Sequence, residues 1–469
     1  MAKVKTVYRC SACGHQVPKW VGRCPDCGEW GSIDEGMPAV ARPGSQSVAP
    51  RSPARRITEI SADSAGACPT GIAEFDRVLG RGVVPGSVIL LAGEPGVGKS
   101  TLLLETVKQW AAQQRTALYV TGEESAGQVR LRAERTGAVH ENIFLASETD
   151  LATILGHVEA VRPTLLIVDS VQTVVASGAE GVTGGVTQIR ATTTALVSLA
   201  KTSGVAVVLV GHVTKDGAVA GPRSLEHLVD VVLSFEGDRH SSLRLIRGVK
   251  NRFGPSDEVG CFEQRSDGIH QVSDPSGIFV HEHGDDVPGS VTLVAMDGRR
   301  AMAGQIQALL NETKMASPRR AVSGLDPARV AMMLAVAEKH GGVKASEREV
   351  YASTVGGMRV TEPAADLAIY LAIRSSYRNQ PVPGHTVAIG EVGLAGEVRR
   401  VSSTARRVAE ARRLGFTHAI VPSGTDEDLP PGIRVTRVAN LSEAAVAAFS
   451  HAPERPRLVS ADDCTAAPF

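Results

Sequence analysis

Eight consecutive residues, Gly93-Glu94-Pro95-Gly96-Val97-Gly98-Lys99-Ser100, fit the pattern G-x-x-x-x-G-K-[ST], a loop that wraps phosphate with its backbone N–H groups. In such a loop the glycines let the chain curl around a β-phosphate, Lys99 neutralises the β and γ oxygens, and the Ser100 hydroxyl ligates Mg²⁺. With Thr101 opening the helix that follows, the ligands expected here are ATP and Mg²⁺. A carboxylate must hold the water shell of the ion from the opposite side, and the apolar run Leu165-Leu166-Ile167-Val168 ends in Asp169. Alone, an apolar run ending in Asp is more often a turn or cap; the preceding loop gives this one its weight. Hydrolysis also needs a group to orient or deprotonate water. Glu123, at the end of the run TALYVTG, is chosen for this over Glu124, against the plain alternative that both carboxylates are merely solvated.

A second constellation lies near the N-terminus. Cys10-x2-Cys13 and Cys24-x2-Cys27 form two knuckles, each able to present two thiolates from a tight turn to one tetrahedral ion, and the spacing fits zinc better than four incidental thiols. Lys3, Lys5, Arg9, Lys19 and Arg23 with Trp20 and Trp30 give this head cationic and stacking groups that suit a nucleic-acid or protein partner. Cys68, Cys261 and Cys464 carry no motif and are expected to be buried or incidental.

The elements that must position these groups follow from hydropathy. The runs SVILLAG (87–93), TALYVTG (116–122), TLLIVDS (164–170), VAVVLVG (205–211), VDVVLSF (229–235) and LRLIRGVK (243–250) alternate with helical segments, the pattern of a mainly parallel sheet with crossover helices. The expected divisions of the 469 residues are a four-Cys zinc finger (1–36), a flexible linker rich in Pro, Ser, Ala and Arg (37–56), an α/β ATPase domain (57–287), a third domain of longer helical patterns (288–450) and an aperiodic tail (451–469). Lys plus Arg and Asp plus Glu number 50 each, so attraction to a polyanion has to come from local clusters. MAKVKTVYRC contains no signal-peptide core and the longest apolar runs are too short to span a bilayer, which places the chain in the cytoplasm without a membrane partner.

The four-cysteine head, GEPGVGKST (93–101), TGEES (121–125), LLIVDS (165–170) and Lys250-Asn251-Arg252-Phe253-Gly254, in this order along nearly the whole chain, resemble the RadA (Sms) family of bacterial DNA-repair proteins, relatives of RecA and of replicative DnaB-type helicases. The resemblance implies a RecA-like P-loop core and a homo-oligomeric ring, a hexamer, with ATP between subunits. It implies that Lys250 and Arg252 reach the neighbour's γ-phosphate as an arginine finger does; by themselves they are two cations past a strand, more often solvated than not. It likewise implies a γ-phosphate sensor at His212, and DNA-contacting loops at 178–190 and 214–224 with Arg190, Lys215 and Arg223 as phosphate contacts, where ordinary surface loops are the plainer reading.

Residues 356–376 and 388–416 resemble the proteolytic domain of Lon, an α+β fold that uses a Ser nucleophile and a Lys. At the matching positions stand Ala364 and Ala405, and a methyl group neither attacks a carbonyl nor relays a proton, so the fold is expected without peptidase activity. Arg319, Arg320, Arg329, Arg399, Arg400, Arg406, Arg407, Arg412 and Arg413 give this part a basic excess suited to duplex DNA or ring assembly, or else a solvated helix face. The function expected is an ATP-driven motor on single-stranded and branched DNA, promoting branch migration with RecA recombinase as partner. The alternatives are an ATP-dependent peptidase and a non-motor nucleotide switch.

Overall fold

The computed structural model describes residues 7–13, 15–17, 19–36, 56–59, 66–212, 225–237, 242–279, 286–315 and 317–450. Residues 37–55 of the expected linker, the tail 451–469, Gly14, Lys3, Lys5, Lys215, Arg223 and Cys464 lie outside them. Contacts divide the chain into two units, Met1–Ala62 and Asp63–Phe469.

In the first unit β1 (Val7–Cys10) pairs antiparallel with both β2 (Gln16–Val17) and β3 (Ile33–Gly36). So short a sheet encloses only Cys10, Val17, Cys24 and Ile33. A core of this size does not hold a fold by burial alone, which is why the cysteines matter.

The second unit begins with α1 (Ala73–Leu79) and then winds through β4 (Val88–Gly93), α2 (Lys99–Ala112), β5 (Ala117–Thr121), α3 (Ala126–Thr136), β6 (Ile143–Ser147), α4 (Leu151–Val161), β7 (Leu165–Asp169), α5 (Val186–Ser203) and β8 (Ala206–His212). Four more strands follow, β9 (Val231–Gly237), β10 (Leu243–Asn251), β11 (Val259–Arg265) and β12 (Gly268–Gln271), then the short α6 (Ser276–Phe279). The strands form one sheet in the order β12-β11-β10-β9-β4-β8-β7-β5-β6, parallel from β9 to β6 and antiparallel from β9 to β12.

The apolar runs are continuous because both faces of the sheet are covered. Along β4, Ile89 and Leu91 pack with Leu103 and Trp110 of α2 and Val129 of α3, whereas Val88 and Leu90 pack with Ile154 of α4 and Leu196 of α5. Helix starts and stops are written locally. Ser125 caps α3 in a box with Gln128, Asp150 caps α4 through the Thr153 N–H, and Gly137 and Gly204 end α3 and α5 in the left-handed region.

A second sheet follows: β13 (Ser290–Asp297), β14 (Arg300–Glu312), β15 (Arg320–Ser323), α7 (Pro327–His340), β16 (Arg348–Thr354), α8 (Asp366–Arg378), β17 (Thr386–Ala388), the ribbon β18 (Glu391–Val392) and β19 (Val398–Arg399), α9 (Thr404–Arg413), β20 (His418–Pro422), β21 (Arg434–Val438) and α10 (Leu441–Phe449). Seven of these strands join in the order β15-β16-β14-β13-β17-β20-β21. Met333 of α7, Ile369 of α8 and Leu441 of α10 pack on one face, Val408 of α9 on the other. This is the α+β arrangement expected of the C-terminal part.

The β13–β14 turn is pinned to the first sheet. Arg247 of β10 pairs with Asp297, the Arg299 N–H donates to the Asp257 carbonyl at 2.8 Å, and the buried Arg300 pairs with Glu74 of α1. Glu74 also accepts from the Cys261 N–H at 2.9 Å, so neither buried charge lacks partners. Among the described residues no helix is long and apolar enough to cross a membrane.

Candidate nucleotide-binding and hydrolytic site

The phosphate loop leaves the C-terminal end of β4, the buried central strand, and runs directly into α2. The N-cap of α2 is Gly98, at φ 110°, which gives no side-chain hydrogen bond. The first N–H groups of the helix thus stay available for an anion, and the positive end of the helix dipole faces the same place. Gly93 is required for a different reason: a Cβ there would stand 2.4 Å from the Phe235 carbonyl oxygen, because β9 runs alongside.

Lys99 is only 4% exposed, and its Nζ donates to the carbonyls of Gly93 and Glu94 at 2.9 Å each. Burial lowers its pKa, while the nearby charges of Asp169 and Glu123 pull the other way. An ammonium held this way sits at the mouth of the loop it would serve. Glu94, Pro95 and Gly96 are exposed, Val97 is buried, and Ser100 and Thr101 are half-buried on the first turn of α2. Gly93–Val97 and Ser234–Gly237 of β9, with Arg244 of β10, line a cleft of about 510 Å³.

Asp169, at the end of β7, is buried and accepts from the Tyr119 hydroxyl at 2.6 Å. Burial and then the Asp169 charge push the Tyr119 hydroxyl well above its ordinary pKa, so it remains a donor. Glu123 follows β5, which lies beside β7 in the sheet. Its Oε1 accepts from the Ser170 hydroxyl at 2.6 Å and from His212 Nε2 at 3.0 Å. Burial alone would raise its pKa, yet the Ser170 and His212 hydrogen bonds, with the charges of His212 and Lys99, bring the carboxyl below its ordinary value. Glu124, by contrast, pairs with Arg132 of α3.

The arrangement therefore gathers an anion cradle, a cation, a buried carboxylate and an ionised, half-exposed carboxylate on one edge of the sheet. Sequence reasoning had placed Lys99, Asp169, Glu123 and His212 there. It missed Ser170, Tyr119, and Arg244, whose Nε donates to the Val97 carbonyl at 3.1 Å and braces the loop.

Lys250 and Arg252 stand elsewhere. Lys250 and Asn251 end β10 opposite Val232 and Val231, at the start of β9, whereas Gly93 pairs with Phe235 further along that strand. The separation along the strand is about 10 Å for Lys250 and about 13 Å for Asn251, at ~3.3 Å per residue. Lys250 Nζ donates to the carbonyls of Glu226 and Val229, and Arg252 pairs with Asp230 at 3.3 Å. These cations do not meet the phosphate loop of their own chain.

Arg190 is exposed, on the second turn of α5 and not in a loop; the Gly-rich segment ends at Gly185, the N-cap. The basic excess of the C-terminal part also needs correction. Arg407 is 1% exposed and bound two-pronged to Glu362 at 2.7 Å on each side; Arg329 pairs with Asp366, Arg399 with Glu397, Arg400 with Asp426, and Arg413 with Asp274 and Glu410. Most of that positive charge is spent within the fold. Ala364 is buried just before α8, and Ala405 opens α9, whose first N–H groups are taken by Glu427.

In the head the four cysteine sulfurs lie within 4.8 Å of one another, with Cys10 and Cys27 3.7 Å apart and Cys13 and Cys24 3.6 Å apart. Four thiolates around one ion at ~2.3 Å stand about 3.8 Å from each other, so the set fits zinc. Gly28, directly after Cys27, takes φ 77° as the second knuckle turns. Trp20 and Trp30 are exposed, and Arg23 lies 5.7 Å from the Trp30 ring centre.

Comparison with known proteins bears on the same regions. Residues 8–35 match the rubredoxin metal binding domain, 54–218 the AAA domain, and 354–425 the subunit ChlI of Mg-chelatase. Over almost the full length the chain is similar to curated proteins described as DNA repair protein RadA. The one from Mycobacterium tuberculosis is 56% identical over 448 residues, covering 95% of this chain and 93% of the relative. That from Mycolicibacterium smegmatis is 55% identical, covering 94% and 97%. That from Bacillus subtilis is 44% identical, covering 95% and 98%.

Proposed function

The chain belongs to the RadA family of DNA repair proteins, and from that premise we propose that it is an ATP-driven motor acting on single-stranded and branched DNA. ATP with Mg²⁺ binds at Gly93–Thr101, with Lys99 on the β and γ oxygens and Ser100 and Asp169 on the metal side. Glu123, held by Ser170 and His212, orients and deprotonates the attacking water. The γ-phosphate is completed from outside: Lys250 and Arg252 of a neighbouring subunit in a homo-oligomeric, hexameric ring supply transition-state charge.

The observation that carries this reading is the placement of the two half-sites at opposite ends of one sheet. Cations held away from their own loop can serve the loop of the next subunit once they exchange their partners Glu226, Val229 and Asp230 for phosphate, and a head-to-tail contact of that kind makes a ring where its rotation closes. The exposed Arg190, with Lys215 and Arg223, contacts the threaded strand in the channel. The zinc-bound head meets DNA or the RecA recombinase, and the chain works as a finger (1–36), a linker (37–56), an ATPase part (57–287) and a Lon-like part (288–450). The work is cytoplasmic, and branch migration of RecA-made intermediates is its expected outcome. With alanine at positions 364 and 405 the C-terminal part serves assembly or DNA contact, not proteolysis.

The test is displacement of a strand from forked DNA together with ATP turnover, with and without single-stranded DNA, in wild type and Lys99→Ala. Stimulated turnover and displacement lost in Lys99→Ala are expected. Turnover indifferent to DNA, with no displacement by wild type, contradicts the proposal.

A further inference from the structure

The segment Lys250-Asn251-Arg252-Phe253-Gly254 holds two cations to which the proposed function gives work, and three residues to which it gives none. Asn251 lies between the cations and faces away from them. Its Nδ2 donates to the carbonyls of Val78 at 3.2 Å and Leu79 at 3.1 Å, the last carbonyls of α1, and its Oδ1 accepts from the Phe253 N–H at 2.8 Å. One side chain therefore caps a helix and closes the turn that carries Arg252.

The joint is tight on its other side too. Gly80, at φ 82°, ends α1, and a Cβ on Gly254 would stand 3.0 Å from the Gly80 Cα and 3.2 Å from Asn251 Nδ2. The helix is itself anchored at its first turn, where Glu74 binds Arg300 and the Cys261 N–H. The segment thus rests on a fixed support and is not a free extension of β10. Long side chains such as Lys250 and Arg252 need this, because a mobile backbone would spread their charge over many positions.

We infer that Asn251 is a positioning residue for hydrolysis in the neighbouring subunit, locking the segment onto the C-terminal end of α1 so that Lys250 and Arg252 present their charges at a set place. This rests on the reading of those two cations as acting across the seam. Substitution of Asn251 leaves the chain's own phosphate loop untouched, since the segment lies at the far end of the sheet from it.

The experiment compares Asn251→Ala and Gly254→Ala with Lys250→Ala and Arg252→Ala, using full-length protein, a fluorescent ATP analogue for binding and steady-state turnover for chemistry. Asn251→Ala and Gly254→Ala are expected to bind the analogue within about twofold of wild type and to lose turnover on the order of 10²-fold, as a displacement of about 1 Å can cause. Each is then mixed 1:1 with Lys99→Ala, which is itself inactive but has an intact segment. About one seam in four then joins a working loop to a working segment, and turnover recovers to about that share of wild type. A purely structural defect gives no recovery on mixing.

Wild-type turnover by Asn251→Ala while Lys250→Ala and Arg252→Ala are inactive overturns this inference alone. Full turnover by Lys250→Ala and Arg252→Ala removes the cross-seam reading beneath it. Loss of analogue binding by Asn251→Ala, or a mixture no faster than its parts, also overturns the assignment.

Discussion

The Ser170 hydroxyl donates to Glu123 Oε1 at 2.6 Å, and His212 Nε2 approaches the same oxygen at 3.0 Å, so both contacts fall on one oxygen of a half-exposed carboxylate. Two donors on one oxygen fix the direction of the other. They also set the charge: although burial raises the carboxyl's pKa, the Ser170 and His212 bonds and the nearby cations outweigh it and hold Glu123 ionised to lower pH than usual.

A base works only while ionised, so turnover is lost as pH falls through the Glu123 pKa. The acid limb of wild-type kcat is expected below the ordinary glutamate range. In Ser170→Ala one lowering bond is gone and the limb moves to higher pH, while Glu123→Gln loses about 10²- to 10⁴-fold at all pH values. A limb at the same pH in Ser170→Ala argues against Glu123 as the titrating base.

Gly93→Ala tests the packing of the loop against β9. The added methyl meets the Phe235 carbonyl oxygen at 2.4 Å, so the loop or β9 has to move. A loss of about 1–3 kcal/mol in denaturant unfolding is expected, with weaker nucleotide binding. Unchanged stability and affinity contradict the geometry.

Zinc content and tryptophan emission test the head. One zinc per chain is expected by elemental analysis. A strong chelator, or Cys24→Ser, should release the metal and change the emission of Trp20 and Trp30, while nucleotide binding by the second unit persists. Emission unaffected by chelation means that the four sulfurs do not hold the fold.

Arg407 and Glu362 join the segment that carries Ala364 to the helix that carries Ala405. Arg407→Ala removes the buried partner of the Val294 carbonyl and of Glu362, which keeps the Met296 N–H, and a loss of about 1–3 kcal/mol is expected from thermal or chemical unfolding. Casein cleavage should be absent in wild type with ATP; cleavage that disappears on deleting residues 288–469 contradicts an inactive C-terminal part.

What was legible in the sequence follows from how each signal is encoded. Five of the six apolar runs, those of the parallel part of the sheet, were readable because strands buried on both faces have few polar positions, as in VILLAG. β6 is half-exposed at the sheet edge and β11 carries Gly260, Glu263, Gln264 and Arg265, so neither stands out from loop composition. The phosphate loop and the knuckles were legible because their chemistry needs close spacing along the chain. Ser170 and Tyr119 meet Glu123 and Asp169 only through the sheet, from positions about 50 residues away, and no local pattern announces that. Arg407 misled for the opposite reason: in TARRVAEARR it looks like one more solvated cation, and only the fold shows it buried against Glu362.

Hydrolysis at a seam between subunits is tested most directly by ATP turnover per chain across a dilution series, with particle masses measured at each concentration in the presence of ATP and a single-stranded oligonucleotide. Turnover per chain should fall steeply as rings dissociate and vanish in the monomer. A monomer that hydrolyses ATP as fast as the assembled protein would contradict it.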